Sequence, residues 1–260
     1  MAKVSDVIAY DYPGPERFPS PAKAIWDVLV VVPARNEEER MAGSLASIVT
    51  ALDWASARLG RTAVVVVADR CTDQTTKIAR DILQDRNCSL VWECDAGTVG
   101  RAREMGVELG RTALSGRPSS GVWIASTDAD TVVPQDWVLK QLREADAGFE
   151  AVAGTVDIDD LSELPSEARN RFRATYTDLL PKRGAHGHVH AANMGVRLDA
   201  YDYAGGWGRL ARSEDRDLWT RLQKRGRSVK ATVDSTVTTS GRAFGRVPGG
   251  FAEFLHSEPA

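Results

Sequence analysis

Two carboxylates separated by one small residue are the part of this sequence best suited to chemistry. Asp128 and Asp130 follow the apolar run Val122-Trp-Ile-Ala-Ser126, which is typical of a buried strand. In extended chain, residues i and i+2 point to the same side, so both carboxylates would converge beyond the strand. Such a pair could bind a divalent cation together with substrate phosphates. A polar turn or a helix N-cap is the structural alternative.

A second acidic pair, Glu214 and Asp215, opens a predicted helix. A carboxylate at this position could accept the proton of an attacking hydroxyl group. Ser213 could cap the helix and leave the acidic side chains near its mouth. Because the helix dipole favours acidic residues at any helix start, a purely stabilising role is the alternative.

Strands and helices that alternate along the chain must position these residues. Apolar runs predict strands over residues 27–32, 63–68, 89–93 and 122–126, and a helical pattern lies between each pair. Nearly continuous Val and Ile runs between amphipathic helices predict buried parallel strands covered on both faces. Ligands of such sheets lie at the carboxyl ends of the strands. Six polar side chains fall there, namely Asn36, Glu37, Asp69, Asp73, Asp128 and Asp130.

The second half of the chain has a looser pattern. We predict helices over residues 134–147 and 167–180 and one that opens at residue 213, with strands over residues 150–158, 228–233 and 236–240 and a loop entering a strand over residues 183–197. No linker separates a second domain. We therefore expect an N-terminal extension over residues 1–24, one domain over residues 25–242, and a C-terminal tail over residues 243–260 that could hold a short helix.

Composition excludes several classes of protein. The 260 residues are 43% hydrophobic, which suits one sizeable soluble domain. A net charge of -3 supplies no general electrostatic reason to bind nucleic acid or an anionic membrane. No apolar run approaches the ~20 residues of a membrane helix, and the N-terminus lacks the pattern of a secretory signal. We expect a cytoplasmic protein without an integral membrane segment, with reduced thiols at Cys71, Cys88 and Cys94.

Six motifs along residues 25–242 resemble, in their order, those of family 2 glycosyltransferases. They are Pro33-Ala-Arg-Asn36-Glu37, Asp69-Arg-Cys-Thr72-Asp73-Gln-Thr75, Gly100-Arg-Ala-Arg103-Glu-Met-Gly106, Asp128-Ala-Asp130, Ala192-Asn193-Met and Glu214-Asp215. The resemblance implies a GT-A fold, a Rossmann-like α/β/α sandwich with a mostly parallel central sheet. It also implies a nucleotide-diphosphate-sugar donor such as a UDP- or GDP-sugar, a hydroxyl acceptor, and a divalent cation, Mn2+ or Mg2+.

The resemblance also implies a role for each matching residue. Asp130 would bind the metal, and Asp215, with Glu214 beside it, would be the catalytic base of an inverting enzyme. The predicted donor-binding residues are Pro33, Arg35, Glu37, Asp69, Arg101, Arg103 and Asp128. The predicted acceptor-binding residues are His190, Asn193 and Trp207.

Several of these residues have structural alternatives. Arg101 and Arg103 follow a Gly-rich turn and could face donor phosphates, or they could form a solvated helical face. Trp207 could stack on the acceptor or pack beneath a loop. We expect Asp73 to cap the second helix rather than to contact substrate.

Three alternating histidines, His186, His188 and His190, precede the Asn193 motif. In an extended chain they would share one face and could bind zinc. No fourth ligand is apparent, and their place before Asn193 favours a loop that contacts the acceptor or a phosphate.

Three departures from the family pattern bear on function. Ala68 stands where a first aspartate is usual, which leaves nucleoside selection open. The Gln-x-x-Arg-Trp signature of membrane polymerising members is replaced by Arg221-Leu-Gln-Lys-Arg225-Gly, which favours a single sugar transfer. No histidine near the C-terminal end completes the metal site, and Arg242 and Arg246 could neutralise the diphosphate instead.

The sequence thus predicts a metal-dependent glycosyltransferase that transfers one sugar to a small or lipid-linked acceptor, with inversion favoured. One alternative is a sugar-phosphate nucleotidylyltransferase, which normally carries a Gly-rich loop with Arg and Lys after its first strand. The other is a non-catalytic nucleotide-sugar-binding protein. Acceptor identity and oligomeric state, including a homodimer, are left open.

Overall fold

The computed structural model describes residues 24–159 and 189–241, and within these ranges the chain folds around one eight-stranded sheet. The strands are β1 (Trp26–Ala34), β2 (Leu59–Asp69), β3 (Leu90–Cys94), β4 (Val122–Ser126), β5 (Thr131–Val132), β6 (Ala151–Ile158), β7 (Met194–Arg197) and β8 (Val229–Thr239). The helices of these ranges are α1 (Met41–Trp54), α2 (Thr75–Leu83), α3 (Val99–Ala113), α4 (Trp137–Asp146), α5 (Leu198–Ala204) and α6 (Glu214–Lys224).

The strands lie in the order β3-β2-β1-β4-β7-β6-β8-β5. The first four are parallel, and so are β6 and β8. Strand β7 is antiparallel to both of its neighbours, and β5 is antiparallel to β8. The predicted α/β fold with a mostly parallel sheet is confirmed. Because β1, β2 and β4 are neighbours and parallel, the polar segments that follow them meet at one edge of the sheet.

Alternate residues of β1 belong to two separate hydrophobic cores. Val28, Val30 and Val32 pack with side chains of α1, α2 and α4, whereas Leu29 and Val31 pack with side chains of α3, α5 and α6. All five are fully buried. This period of two, without a polar face, is what a strand needs when helices cover both sides of its sheet. The predicted α/β/α layers are therefore present.

The prediction of two strands over residues 228–233 and 236–240 is wrong, because both runs belong to β8. The register of β8 against β6 shifts between Ala153 and Thr155. Beside this irregularity, the backbone N–H of Asp234 donates to Thr232 Oγ1 at 3.1 Å. A bulge accommodates polar residues inside a strand. In the sequence, these polar residues interrupt the apolar pattern and resemble a break between two strands. Strand β5 and helix α5 had no predicted counterpart.

Several predictions concern residues outside the described ranges. They are the N-terminal extension up to residue 23, the helix over residues 167–180, His186 and His188 of the alternating histidines, Arg242 and Arg246, and the C-terminal tail. The domain boundaries stay a prediction. In the two described ranges, no helix combines the length and apolar character needed to cross a membrane. The thiols of Cys71, Cys88 and Cys94 are free, as predicted.

Asn193 connects the sheet to α4 through its side-chain amide, whose oxygen and nitrogen atoms both form hydrogen bonds. It lies in a short 3-10 turn, Ala191–Asn193, and is 1% exposed. Trp137 Nε1 donates to Asn193 Oδ1 at 2.9 Å. Asn193 Nδ2 donates to the carbonyl oxygens of Thr155 and Ser235 at 2.8 and 2.9 Å. One buried amide therefore joins α4, β6 and the irregular part of β8, where strand pairing alone leaves polar backbone groups unsatisfied.

We predict that Asn193→Ala lowers the free energy of unfolding by about 1–3 kcal/mol, because it leaves a buried indole N–H and two carbonyl oxygens without their partner. Urea unfolding measures the change. The matched control is Asn87→Ala, at an exposed turn position. Equal stability of the two variants would contradict the assigned role of the amide.

Candidate active site

The loops that follow β1 and β2 are joined to each other by polar contacts. Asn36, whose φ is 54°, accepts a hydrogen bond on Oδ1 from the Thr72 backbone N–H at 2.8 Å. The Glu37 backbone N–H donates to Thr75 Oγ1 at 2.6 Å. Asp73 Oδ1 accepts from the Thr75 backbone N–H at 3.0 Å, so its contact is local, but the N-cap position of α2 is Gln74 and not Asp73 as predicted. These contacts hold both loops at one edge of the sheet.

Four predicted donor-binding residues lie at this edge. Pro33 is near the end of β1 and Asp69 ends β2, where Pro33 pairs with Val67 in the parallel register. Arg35 is exposed, whereas Glu37 and Asp69 are 9% and 8% exposed. The structure thus brings these residues together at neighbouring strand ends, and their contact with a donor stays a prediction.

The carboxylate of Asp69 organises the turn between β3 and α3. Its Oδ1 accepts from the backbone N–H of Ala96 at 2.9 Å and of Gly97 at 3.4 Å. Arg70 Nε lies 3.3 Å from the same oxygen. A carboxylate held by two backbone donors and a guanidinium has a fixed orientation. Any ligand that contacts Asp69 would therefore meet a preorganised group.

Helix α3 has an N-cap, Thr98, that was not predicted from the sequence. Thr98 Oγ1 accepts from the Arg101 backbone N–H at 3.2 Å. The Arg101 guanidinium donates to Glu104 at 2.6 Å and lies 3.9 Å from Glu108. Both acids belong to its own helix, so these contacts are local, and a contact of Arg101 with donor phosphates stays a prediction.

Arg103 occupies a different environment, since its side chain is 2% exposed. It forms an ion pair with Asp128, and its Nε lies 3.3 Å from Glu214 Oε1. Its Nη1 donates to Ser126 Oγ at 2.6 Å and to the Thr127 carbonyl oxygen at 3.3 Å. The solvated-face alternative is wrong for Arg103. The predicted contact with donor phosphates is not supported either, because protein groups already engage all three nitrogens.

The charges around Arg103 balance the cost of its burial. Desolvation acts to lower the pKa of Arg103, but the charges of Asp128 and Glu214 outweigh it, and the pKa lies above the usual arginine value. Burial raises the pKa of Glu214, and the positive charge of Arg103 opposes only part of that rise. The guanidinium is therefore the group that permits carboxylates to lie together here.

Asp128 and Asp130 do not occupy extended chain, so the geometric reason for expecting them to share one side does not hold. The Thr131 backbone N–H donates to the Asp128 carbonyl oxygen at 3.2 Å, which closes a turn. The Asp128 carboxylate contacts Arg103 of α3, while Asp130 Oδ1 accepts from Thr239 Oγ1 at 3.3 Å, at the end of β8. The Asp128 and Asp130 carboxylates thus contact different elements of the fold.

Over residues 24–159 and 189–241, no group of three or more His, Cys, Asp or Glu side chains is arranged to hold a metal ion. Arg103 forms an ion pair with Asp128, and the role of Asp130 as a cation ligand stays a prediction. A hard divalent ion at Asp130 would need phosphate and water oxygens for its other ligands, which is common for Mg2+ sites.

Glu214 and Asp215, at the start of α6, contact different partners. Glu214 is 6% exposed and faces Arg103. Asp215 is more exposed, and its two oxygens accept from the backbone N–H groups of Ala191 at 3.0 Å and Arg216 at 2.7 Å. The predicted cap by Ser213 is wrong, because that residue has a φ of 58° and its side chain makes no capping hydrogen bond.

The three predicted acceptor-binding residues lie near Asp215 or Arg103, but two are engaged in packing. Asn193 uses its whole amide within the fold, which does not support a hydrogen bond to acceptor. Trp207 is 3% exposed, with its ring centroid 5.5 Å from Arg103 Cζ, so the packing alternative describes it. His190 is partly buried and directly precedes the turn that contacts Asp215, and its acceptor role stays a prediction.

Comparison with known proteins identifies the family. The model of glycosyl transferase family 2 matches residues 29–204. The chain belongs to this family. No curated protein sequence matches it.

Solved structures share the fold of this family 2 chain at low sequence identity. S. aureus TarS 1-349 in complex with UDP-GlcNAc is 14% identical, with a TM-score of 0.63 over 86% of this chain and 61% of that one. Mannosyltransferase PcManGT from Pyrobaculum calidifontis, in complex with GDP-Man and Mn2+, is 20% identical, with a TM-score of 0.60 over 92% and 72%. The predicted family and GT-A fold are confirmed. This chain spans about three fifths of the TarS fragment.

In this family 2 chain, the loop between α5 and α6 packs directly on the start of α3. The Gly100 backbone N–H donates to the Leu210 carbonyl oxygen at 3.1 Å. A Cβ atom at Gly100 would overlap the carbonyl oxygen of Gly208. The same loop carries Trp207, whose backbone N–H donates to the Tyr201 hydroxyl at 3.0 Å. Gly100 is therefore required for the close approach that covers Arg103.

We predict that Gly100→Ala lowers the free energy of unfolding by about 1–3 kcal/mol, because the added methyl group displaces backbone that cannot move independently. The matched control is Gly43→Ala in α1, where a Cβ would have no neighbour within 4 Å. That change should stabilise the protein by about 0.5–1 kcal/mol through helix propensity. Chemical denaturation measures both, and a neutral Gly100→Ala would contradict the packing described here.

Proposed function

We propose that this chain is a glycosyltransferase that transfers a single sugar from a nucleoside-diphosphate sugar to a hydroxyl acceptor, with inversion. The observation that carries the proposal is the ion cluster in which the buried Arg103 joins Asp128 and Glu214 in a family 2 chain. The cluster links the motif after β4 to the acidic pair at α6. Donor-side and acceptor-side carboxylates therefore belong to one site.

The proposed donor lies along the edge formed by the loops after β1, β2 and β4. Pro33, Arg35, Glu37 and Asp69 would line the nucleoside pocket, and Asp128 would contact the ribose. The similar structures contain UDP-GlcNAc or GDP-Man, which supports a nucleoside-diphosphate sugar as the donor class here. Arg101, at the start of α3, is exposed enough to exchange its contact with Glu104 for a phosphate.

Asp215 is the proposed catalytic base. As the acceptor oxygen bonds to the anomeric carbon, the bond from that carbon to the diphosphate breaks, and the hydroxyl proton passes to Asp215. Attack from the face opposite the leaving diphosphate inverts the configuration. Two backbone N–H groups orient the Asp215 carboxylate and leave lone pairs on both oxygens for the proton.

Asp130 is the proposed ligand of a divalent cation, Mn2+ or Mg2+. When bound, such an ion would neutralise charge that develops on the leaving diphosphate. The Mn2+ in the Pyrobaculum calidifontis mannosyltransferase structure supports this part of the proposal. The turn through Thr131 and the hydrogen bond from Thr239 orient the Asp130 carboxylate.

Family membership does not favour the nucleotidylyltransferase alternative. A cytoplasmic location and a small or lipid-linked acceptor remain part of the proposal, and a homodimer stays a prediction. A thermal-shift panel of UDP, GDP and their sugars, with and without Mn2+, identifies the donor, because a ligand of the native state raises its melting temperature. Binding without turnover for every donor and acceptor would favour the non-catalytic alternative.

We predict that Asp215→Asn lowers kcat by about 10²–10⁴-fold and leaves the KM of the donor nearly unchanged, because it removes the proton acceptor and not the donor pocket. Donor consumption in the presence of acceptor measures both constants. Asp217→Asn is the matched control, since it also removes an acidic charge from the first turn of α6. Wild-type turnover by Asp215→Asn would exclude Asp215 as the base.

We predict that Asp130→Asn weakens stimulation by Mn2+ at least about tenfold, because replacing a charged ligand by an amide costs affinity for a hard cation. A titration of donor turnover against Mn2+ measures this, after chelation of metal from the protein. Asp136→Asn, at a carboxylate paired with Lys140, is the control. An unchanged Mn2+ requirement in Asp130→Asn would place the cation elsewhere.

A further inference from the structure

Arg103 stands where three parts of the site meet. It belongs to α3, pairs with Asp128 of the β4–β5 turn, and pairs with Glu214 of α6. Its helix lies unusually close to the sheet, since a Cβ at Gly106 would be 2.5 Å from Val31 Cγ1. Close packing thus fixes the helix that carries Arg103, and charged and polar partners hold its guanidinium.

The fork shape of the guanidinium matches its surroundings. Nε contacts Glu214, Nη1 contacts Ser126 and Thr127, and Nη2 contacts Asp128, so each nitrogen has a separate partner. The planar group fixes the angles between these contacts. A lysine ammonium would keep the charge and would lose this geometry, because a single nitrogen cannot span the same partners.

Each carboxylate that Arg103 holds is adjacent to a residue of the proposed reaction. Asp128 lies in the donor-side turn, and its carbonyl oxygen also accepts from Ser44 Oγ at 3.2 Å. Glu214 directly precedes Asp215 at the first turn of α6. Arg103 therefore links the start of α6 directly to the donor-side turn.

We propose that Arg103 is a positioning residue that sets the separation between the donor, held through Asp128, and the base Asp215, held through Glu214. This inference rests on the proposed glycosyl transfer and assigns Arg103 no contact with substrate. Trp207 covers the guanidinium of Arg103. Because the Arg103 side chain is only 2% exposed, it offers no free face to a phosphate. Since small displacements of reacting groups cost large factors in rate, losing Arg103 should act chiefly on kcat.

The obvious variant, Arg103→Met, leaves Glu214 buried without a counter-charge and is expected to unfold more easily. The double variant R103M/E214Q removes both buried charges, while Asp128 remains partly exposed to water. We expect its Tm to recover towards the wild-type value. It therefore separates loss of positioning from loss of folding.

The test is a double-mutant cycle on donor turnover with R103M, E214Q and R103M/E214Q. We expect R103M to lower kcat by about 100-fold, the effect of a misplaced reacting group. E214Q should add nothing further in the R103M background, because Glu214 acts through Arg103. R103K should resemble R103M in kcat despite its charge. Arg111→Met is the control, since it removes an ion pair with Asp202 from the same helix.

Two results would overturn the proposal. A merely structural role predicts that R103M/E214Q recovers wild-type kcat together with its Tm. A direct contact with the diphosphate predicts that R103M/E214Q loses the thermal shift caused by UDP or GDP and keeps kcat at saturating donor.

A readout independent of turnover keeps this inference distinct from the proposed function. We expect faster hydrogen exchange at the backbone amides of Ala191 and Arg216, which donate to Asp215, in R103M/E214Q and not in Arg111→Met. A wild-type protein without turnover on any donor refutes the proposed function. Unchanged exchange at these amides refutes the positioning role, whether or not the wild type is active.

Discussion

The arrangement of the site depends on one buried guanidinium between two carboxylates. Arg103 is almost fully enclosed, and moving an arginine into a protein interior is costly unless charged partners compensate. Asp128 and Glu214 provide that compensation from two elements far apart in sequence. Glu214, which is 6% exposed, would not lie at this depth without the guanidinium. The ion cluster is consequently a constraint on geometry more than a source of stability.

The sheet explains why this cluster can join the proposed donor and acceptor sides. Strands β1 to β4 are parallel and end at one edge, which produces the donor-side loops. Strand β7 is antiparallel and lies between β4 and β6, so the chain enters it from the turn at Ala191–Asn193 beside that same edge. Helix α6 begins next to this turn. A change of strand direction thus places the acidic pair opposite Asp128, as expected where the topology of an α/β sheet switches.

Local patterns predicted the elements whose contacts are local or periodic. Strand β4 was predicted to the residue, and α1 lies where a helical pattern was predicted, because an unbroken apolar run and a helical period leave little choice. The β8 bulge, the turn after Asp128 and the left-handed Ser213 were missed, because long-range contacts decide them. The partners of Arg103 lie 25 and 111 residues away, so charge type alone could not distinguish a phosphate contact from a buried cluster.

Asp215 is oriented by two polar networks that meet at the start of α6. From one side, Arg103 fixes Glu214, and from the other, Ala191 donates to Asp215. Ala191 belongs to the turn that Asn193 pins to α4, β6 and β8. Apolar packing is not directional and could not set the angle of a carboxylate, whereas hydrogen bonds lose strength steeply with misalignment. A side chain that only stabilises a helix start would need neither network. The two networks therefore favour a role for Asp215 beyond a favourable interaction with the helix dipole.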